Sequence, residues 1–141
     1  MIIKLKSLLK ETIENLPNKL YHGTFLQLIP SIRLHGIIPW GREYRNFMDI
    51  DYGVYLADDE DFAGSLIEDT ENPNIPDEWL QEIYVIIVDT TKLDKTKFDK
   101  DPQMHLTPEE WNDPLIAKSY IYKGIIPTSA FIEIKKGSYQ W

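Results

Sequence analysis

The chain has 141 residues, 43% of them hydrophobic and 27% charged, a balance typical of one folded domain and not of a disordered segment. Its formal net charge of -8 disfavours a nucleic-acid partner unless the fold provides a local basic groove. The lack of cysteine excludes disulfides, thiolate catalysis and cysteine-ligated metal sites. No segment has the pattern of a secretory signal or the ~18–20 apolar residues of a membrane span, so we expect a cytoplasmic protein without a membrane partner.

The first third of the chain alternates between helical and extended patterns. Apolar residues recur at helical spacing over 1–17, which predicts an amphipathic N-terminal helix. A short strand is expected over 19–22, broken by the pair Gly23-Thr24. A second helix is expected over 26–34, with Pro30 near its start and Gly36 as its cap.

The middle of the chain begins with a long connection over 37–51 that carries aromatic and basic side chains. A short apolar strand over 53–57 follows it. The acidic run 58–61 then suits the N-terminus of a helix, because negative charge is favoured there. The nearly continuous apolar run over 82–89 predicts a strand in the interior of a sheet.

The last third is mostly polar over 95–114, apart from a short helix signal at 107–111 in which Thr107 caps and Pro108 occupies the first turn. Strands are expected over 119–122 and 130–134. Helices therefore dominate the first half and strands the second. This order predicts one α+β domain over 1–141, with an N-terminal helix (1–17) and a core (19–134) built on a split, largely antiparallel β-sheet with flanking helices.

Three segments carry a family resemblance. The first is His22-Gly23-Thr24 at a strand, the second is the run Gly53-Val54-Tyr55-Leu56-Ala57, and the third is the late strand from Tyr120 to Pro127. In this order and spacing the chain resembles the ADP-ribosyltransferase superfamily over about residues 19–134. The relevant branch includes the poly(ADP-ribose) polymerases, bacterial DNA-modifying toxins and RNA 2′-phosphotransferase.

The resemblance implies an ADP-ribosyltransferase-like fold that uses NAD as substrate and needs no metal. His22 would bond a ribose hydroxyl, the backbone of Gly23 would bind the nicotinamide carboxamide, and Tyr55 would stack on the nicotinamide ring. The implied catalytic residues are His22, Tyr55 and Ser119. The implied NAD contacts are His22, Gly23, Thr24, Arg42, Arg45, Tyr55, Ala57 and Phe62.

The sequence departs from the family at the catalytic carboxylate. The resemblance places Ser119 where active members carry Glu, and a hydroxyl does not stabilise a cation as an anion does. Three explanations stay open: another acid such as Glu110, Asp113 or Glu133 substitutes, catalysis proceeds through an altered triad, or the pocket binds without turnover.

Two alternatives to ADP-ribosyl transfer remain. One is a non-catalytic acidic interaction or inhibitor protein on the same fold, which the net charge and the altered triad both suit. The other is an RNA 2′-phosphotransferase-like enzyme, for which Arg33, Arg42 and Arg45 could hold phosphates, although Tyr21 stands where that branch has Arg. If the chain is a transferase, its negative net charge favours a protein acceptor over nucleic acid. A toxin or counter-defence role is compatible with the family.

Overall fold

The computed structural model describes residues 16–39, 53–68 and 76–137. Within them the chain is an α+β protein with a six-stranded antiparallel sheet. The strands are β1 (Lys19–Phe25), β2 (Val54–Ala57), β3 (Ile83–Asp89), β4 (Phe98–Lys100), β5 (Ser119–Tyr122) and β6 (Phe131–Lys136). The α-helices are α1 (Ile29–His35), α2 (Glu60–Glu68) and α3 (Pro108–Trp111).

The strands lie in the order β4-β5-β2-β1-β3-β6, and every neighbouring pair is antiparallel. The apolar strand β3 is paired on both sides, by β1 and by β6, as its continuous hydrophobic run predicts. β1 and β2 come from the first half of the chain and lie at the centre of the sheet. The sheet therefore brings residues distant in sequence next to one another in its middle.

One face of the sheet carries the hydrophobic core. Alternate residues of a strand point to opposite faces, and Leu20, Leu56 and Ile86 share this face with the apolar side of α1. The buried members of this core are Leu20, Ile29, Ile32, Ile37, Val54, Leu56, Ile86, Val88, Phe98, Tyr120, Tyr122, Ile126 and Ala130. We call this the core face.

Helix α2 covers the opposite face, which we call the α2 face. The Gly23 position in β1 lies directly beneath the backbone of Ala63 in α2. At the start of the same helix, Glu60 forms a 3.0 Å salt bridge with Lys135 of β6. Lys135 is paired with Val85, which is in turn paired with Gly23, so these contacts lie on one side of the sheet.

Several local signals in the sequence are confirmed. α1 begins with Pro30 in its first turn and ends at Gly36, whose φ of 80° suits a residue without a side chain. α3 begins with a capping box in which Thr107 and Glu110 each accept a hydrogen bond from the backbone N–H of the other. Asp59 Oδ2 accepts from the Phe62 N–H at 2.9 Å, so the acidic run does start a helix.

Three expectations about strands were wrong. β1 does not break at Gly23 but continues to Phe25, because β3 pairs with it over its whole length. β6 begins at Phe131 and extends to Lys136, since a 3-10 turn occupies Thr128–Ala130. The segment over 95–114 contains a strand, β4, that its polar sequence conceals.

The expected N-terminal helix and most of the 37–51 connection lie outside the described residues. Within the described part, Ile37 forms an antiparallel bridge with Ile126, which fixes the start of that connection against the core. Helices in the described ranges are all too short or too polar to cross a lipid bilayer.

Candidate functional site

At the centre of the sheet the backbone ladder between β1 and β2 is interrupted, and we call this interruption the parting. These strands share one registered pair, Tyr21 with Ala57, whereas β1 and β3 are paired over seven consecutive residues. Just beyond that pair the imidazole Nδ1 of His22 lies 2.9 Å from the backbone carbonyl oxygen of Tyr55. A side-chain hydrogen bond therefore joins the strands where the backbone ladder ends.

This hydrogen bond sets the protonation of the His22 ring. A backbone carbonyl oxygen can only accept, so Nδ1 must carry the hydrogen that it donates to Tyr55. In the neutral ring the other nitrogen, Nε2, is then a hydrogen-bond acceptor. The arrangement suits a ligand hydroxyl that donates to Nε2.

The peptide groups of Gly23 face the same parting. The backbone groups of alternate residues in a strand point to the same neighbouring strand. The bond from the Thr90 N–H to the Asn18 carbonyl continues the β1–β3 register, so even-numbered residues of β1 face β3 and odd-numbered ones face β2. The Tyr55 carbonyl points at β1, and continuing the register from Tyr21 and Ala57 would bring Gly23 opposite Tyr55. The N–H and C=O of Gly23 are thus directed to the β2 side. The Tyr55 carbonyl, which would pair with Gly23 in a longer ladder, instead accepts the hydrogen bond from His22.

The missing side chain of Gly23 has a structural use that the sequence did not reveal. A Cβ added there would lie 2.3 Å from the carbonyl oxygen of Ala63, which is too close for any real contact. Glycine is required because α2 packs directly on β1. The next residue, Thr24, is 1% exposed and pairs with Tyr84 inside the strand, so it does not break the strand as expected.

β2 and β5 bring a second set of predicted residues together. Ala57 is paired with Ser119, and Tyr55 is paired with Ile121. Because directly opposed residues share a face, Tyr55, Ala57 and Ser119 all lie on the α2 face. Ala57 and Ser119 are fully buried, whereas Tyr55 is half-buried.

The side chains of His22 and Tyr55 leave their strands towards opposite faces of the sheet. Tyr55 shares a face with Ala57 and hence with Tyr21, while His22 follows Tyr21 and points the other way. The imidazole meets the backbone of Tyr55 and not its phenol. A ligand would have to enter between the two strands to contact both rings.

Among the residues that the structure describes, the hydroxyl of Ser119 has no hydrogen-bond partner although it is completely buried. Buried polar groups are nearly always hydrogen-bonded, and a desolvated orphan hydroxyl destabilises the fold. Ser119 is thus a chemically distinctive position at the start of β5.

A reciprocal contact fixes the neighbouring strand ends. The Asp58 N–H donates to the Lys118 carbonyl at 3.0 Å, and the Lys118 N–H donates to Asp58 Oδ1 at 2.7 Å. The Lys118 ammonium is buried and donates to the carbonyls of Asp113 and Ile116. Burial raises the pKa of Tyr120 to about 12, and the nearby Asp58 carboxylate adds to the increase.

The remaining predicted NAD contacts are divided between α2 and residues outside the described ranges. Phe62 lies half-buried in the first turn of α2. Arg42 and Arg45 fall outside the described residues. Arg33, the third candidate for phosphate binding, lines a groove of about 310 Å³ beside β6 with Thr128, Phe131, Ile132, Glu133 and Ile134. That groove includes none of the predicted catalytic residues, and β1 and β3 separate it from β2.

None of the three acids considered as substitutes for the missing Glu stands beside Ser119 in the sheet. Glu110 is held in the capping box of α3, and Asp113 accepts from the Leu115 N–H at 2.9 Å in a turn. Glu133 lies on β6, which β2, β1 and β3 separate from β5. Glu110 and Asp113 thus accept hydrogen bonds within their own turns, and three strands separate Glu133 from β5.

The sheet instead places Asp101 next to Ser119. The Asp101 N–H donates to the Ser119 carbonyl at 3.1 Å, one step beyond the registered pair Lys100 and Tyr120. Asp101 is only 5% exposed. Sequence reasoning missed it because β4 itself was missed, and the only sequence signal is one apolar residue, Phe98, followed by alternating charges.

The described residues contain no group of three His, Asp or Glu side chains placed to hold a metal ion. No protein-family model matches the sequence, and none of the curated proteins compared with it matches either.

Proposed function

We propose that this chain transfers ADP-ribose from NAD to a macromolecular acceptor, with the nicotinamide riboside bound in the parting between β1 and β2, on an ADP-ribosyltransferase-like fold. The observation that carries the proposal is the 2.9 Å hydrogen bond from His22 Nδ1 to the Tyr55 carbonyl at the point where the ladder between these strands ends. It joins the two segments on which the resemblance depends. In this tautomer Nε2 is an acceptor, which is the role that a ribose hydroxyl requires.

The groups around the parting match nicotinamide riboside in kind. A carboxamide carries both a donor and an acceptor, and the peptide N–H and C=O of Gly23 face the parting as a complementary pair. Tyr55 offers a half-buried aromatic ring of the size needed to stack on nicotinamide. His22 Nε2 accepts from a ribose hydroxyl.

The proposed reaction breaks the bond between the ribose carbon and the nicotinamide nitrogen. Nicotinamide leaves with the electron pair of that bond, and positive charge develops on the ribosyl group. A nucleophilic atom of the acceptor supplies the electron pair for the new bond and releases its proton to solvent or to a base. The protein contributes by orienting the sugar and stabilising the charge. With a neutral Ser119 in the carboxylate position, the loss of one such partner slows the reaction by ~10²–10³.

Charge favours a protein acceptor over nucleic acid, because the net charge of -8 repels phosphate backbones. The RNA 2′-phosphotransferase alternative is weakened in the described residues. Arg33 lies beside β6 and not at the parting, and Tyr21 stands where that branch has Arg.

His22→Asn tests the proposal with little risk to the fold. The asparagine amide can still donate to the Tyr55 carbonyl, whereas the acceptor equivalent to Nε2 is lost. We expect the parent to transfer label from NAD to protein in a lysate and to bind NAD by calorimetry. His22→Asn should weaken NAD binding about tenfold, the effect of losing one good hydrogen bond. The matched control is His35→Asn, which changes an exposed histidine on α1.

The neutral residue Ser119 in the carboxylate position and the net charge of -8 favour one other candidate, a non-catalytic acidic interaction protein. Such a protein would not bind NAD. It would bind its partner equally well after His22→Asn and lose that partner as salt is raised, since surface charges are screened. A parent protein without NAD affinity and without label transfer would refute the transferase proposal.

A further inference from the structure

We infer that Asp101 supplies the carboxylate that position 119 itself lacks, so that Asp101 and Ser119 together replace the usual glutamate. This inference rests on the proposed transferase function. It assigns the negative charge at the site to a residue on a different strand.

The position of Asp101 follows from the sheet register. Phe98 pairs with Tyr122, Asp99 with Ile121 and Lys100 with Tyr120, and the 3.1 Å bond from Asp101 to the Ser119 carbonyl continues this series. Side chains at directly opposed positions of antiparallel strands lie on the same face with Cβ atoms about 4.5–5.5 Å apart.

Asp101 lies on the face of the sheet that carries Tyr55 and Ser119. Asp99 and Ile121 are opposed, and Ile121 is opposed to Tyr55 on the next strand. Asp101 and Ser119 are each two residues from that row, so they share the α2 face with Tyr55. The backbone of Asp101 lies one strand spacing, about 4.8 Å, from that of residue 119.

Burial makes this carboxylate effective. Asp101 is 5% exposed, and the hydroxyl beside it in the sheet, that of Ser119, is fully buried and has no hydrogen-bond partner in the described ranges. Electrostatic interactions are stronger where water is excluded, and fixed charges there need no reorganisation during the reaction. An acid and an unsatisfied hydroxyl side by side provide the two functions of the missing glutamate, a charge for the cation and a hydrogen bond to a ribose hydroxyl.

In this scheme Asp101 neither gains nor loses a proton. As the bond from ribose to nicotinamide breaks, positive charge moves from the departing ring to the sugar, and the carboxylate stabilises that charge. Ser119 donates its hydrogen to a ribose oxygen. Binding of unreacted NAD depends mainly on His22, Gly23 and Tyr55, so a change at Asp101 should affect the rate far more than the affinity.

The test compares Asp101→Asn with Asp99→Asn, which removes the same charge two residues earlier on the same face, at an exposed position. The measurements are the single-turnover rate of nicotinamide release and the Kd for NAD. We expect Asp101→Asn to lower the rate about 10²-fold while Kd changes less than tenfold, with Asp99→Asn unchanged in both. Ser119→Glu added to Asp101→Asn should restore most of the rate.

A rate for Asp101→Asn equal to that of a parent that binds and turns over NAD would overturn the inference and leave the transferase function standing. A parent that does not bind NAD would defeat the function itself. If Asp101→Asn does not fold, the test uses the unmodified protein. Its affinity for a cationic pyrrolidine analogue of the ribosyl group is compared with its affinity for the neutral carbocyclic analogue. At about 0.5 M salt, which screens the general acidic field, a preference of at least tenfold for the cation supports the inference, and equal affinity overturns it.

Discussion

Replacing Gly23 by alanine should destabilise the protein strongly, because it inserts a methyl group between β1 and α2. The new Cβ would lie 2.3 Å from the Ala63 carbonyl oxygen and 3.0 Å from its carbonyl carbon, whereas real Cβ contacts essentially never fall below 3.0 Å. Both obstacles are backbone atoms, so no side-chain rotation relieves the overlap and the helix must move. Overpacking of a core typically costs 1–3 kcal/mol, and a backbone obstacle places Gly23→Ala near the upper end, at about 3 kcal/mol.

Urea and thermal unfolding would measure this loss. For a chain of this length, about 3 kcal/mol corresponds to a decrease in Tm of roughly 10 °C. Gly124→Ala is the matched control, since its new Cβ would meet only the side chains of Tyr122 and Lys97, at 3.4 Å or more. We expect the control to change the free energy of unfolding by less than about 0.5 kcal/mol.

The same substitution connects the packing of the helix to the candidate site. Displacing α2 from β1 should shift the strand that carries His22 and lengthen its 2.9 Å bond to the Tyr55 carbonyl. Gly23→Ala should therefore also weaken NAD binding. If Gly23→Ala is as stable as Gly124→Ala, α2 does not pack on β1 as described, and the proposed site is not supported.

Two further predictions concern a buried hydroxyl and two exposed carboxylates. Ser119→Ala should leave the free energy of unfolding unchanged or raise it by up to about 1 kcal/mol, because the lost hydroxyl is buried without a partner. Thr90→Val, which removes a buried hydroxyl bonded to the Pro17 carbonyl at 2.6 Å, should instead cost about 1–3 kcal/mol in the same urea titration, and equal losses in the two variants would contradict the reasoning. Hydrogen bonds from the side chain and backbone of Thr91 lower the pKa of Asp89 below 3.8, and those of Thr96 lower the pKa of Asp94 in the same way. The stability that these depressed pKa values contribute is present above pH 3.8 and is lost as pH falls through the lowered values. The difference in urea midpoint between the parent and the double variant Asp89→Asn/Asp94→Asn should therefore shrink from about pH 6 to about pH 2. A difference that stays constant over this range would refute the prediction.

The sequence predicted those parts of the fold that are encoded within a few residues. The apolar run of β3 signals a strand paired on both sides, because its side chains must be buried on both faces. Gly36 ends α1 because its positive φ suits glycine, and Thr107 with Glu110 begins α3 because their side chains complete the bonding of the first turn. Each of these signals depends on local chemistry.

The candidate site was predicted only in part. His22 and Tyr55 were identified as a pair, and the sheet places them on neighbouring strands, but the contact is between the imidazole and a backbone carbonyl. Gly23 was expected to break the strand, whereas the strand continues through it and α2 requires the glycine by packing on it. Whether NAD binds there stays a prediction.

By itself the sequence determined the residue types available for chemistry: the histidine of a His-Gly-Thr segment, a tyrosine on an apolar strand and a serine where the family that the chain resembles carries glutamate. Only the tertiary structure decided which acid accompanies that serine. Strand pairing between β4 and β5 places Asp101 beside Ser119, and this neighbour relation depends on hydrogen bonds between segments that no local pattern specifies. The physical reason is that burial and register across the whole sheet determine which strands pair, so local sequence does not identify a short polar strand such as β4.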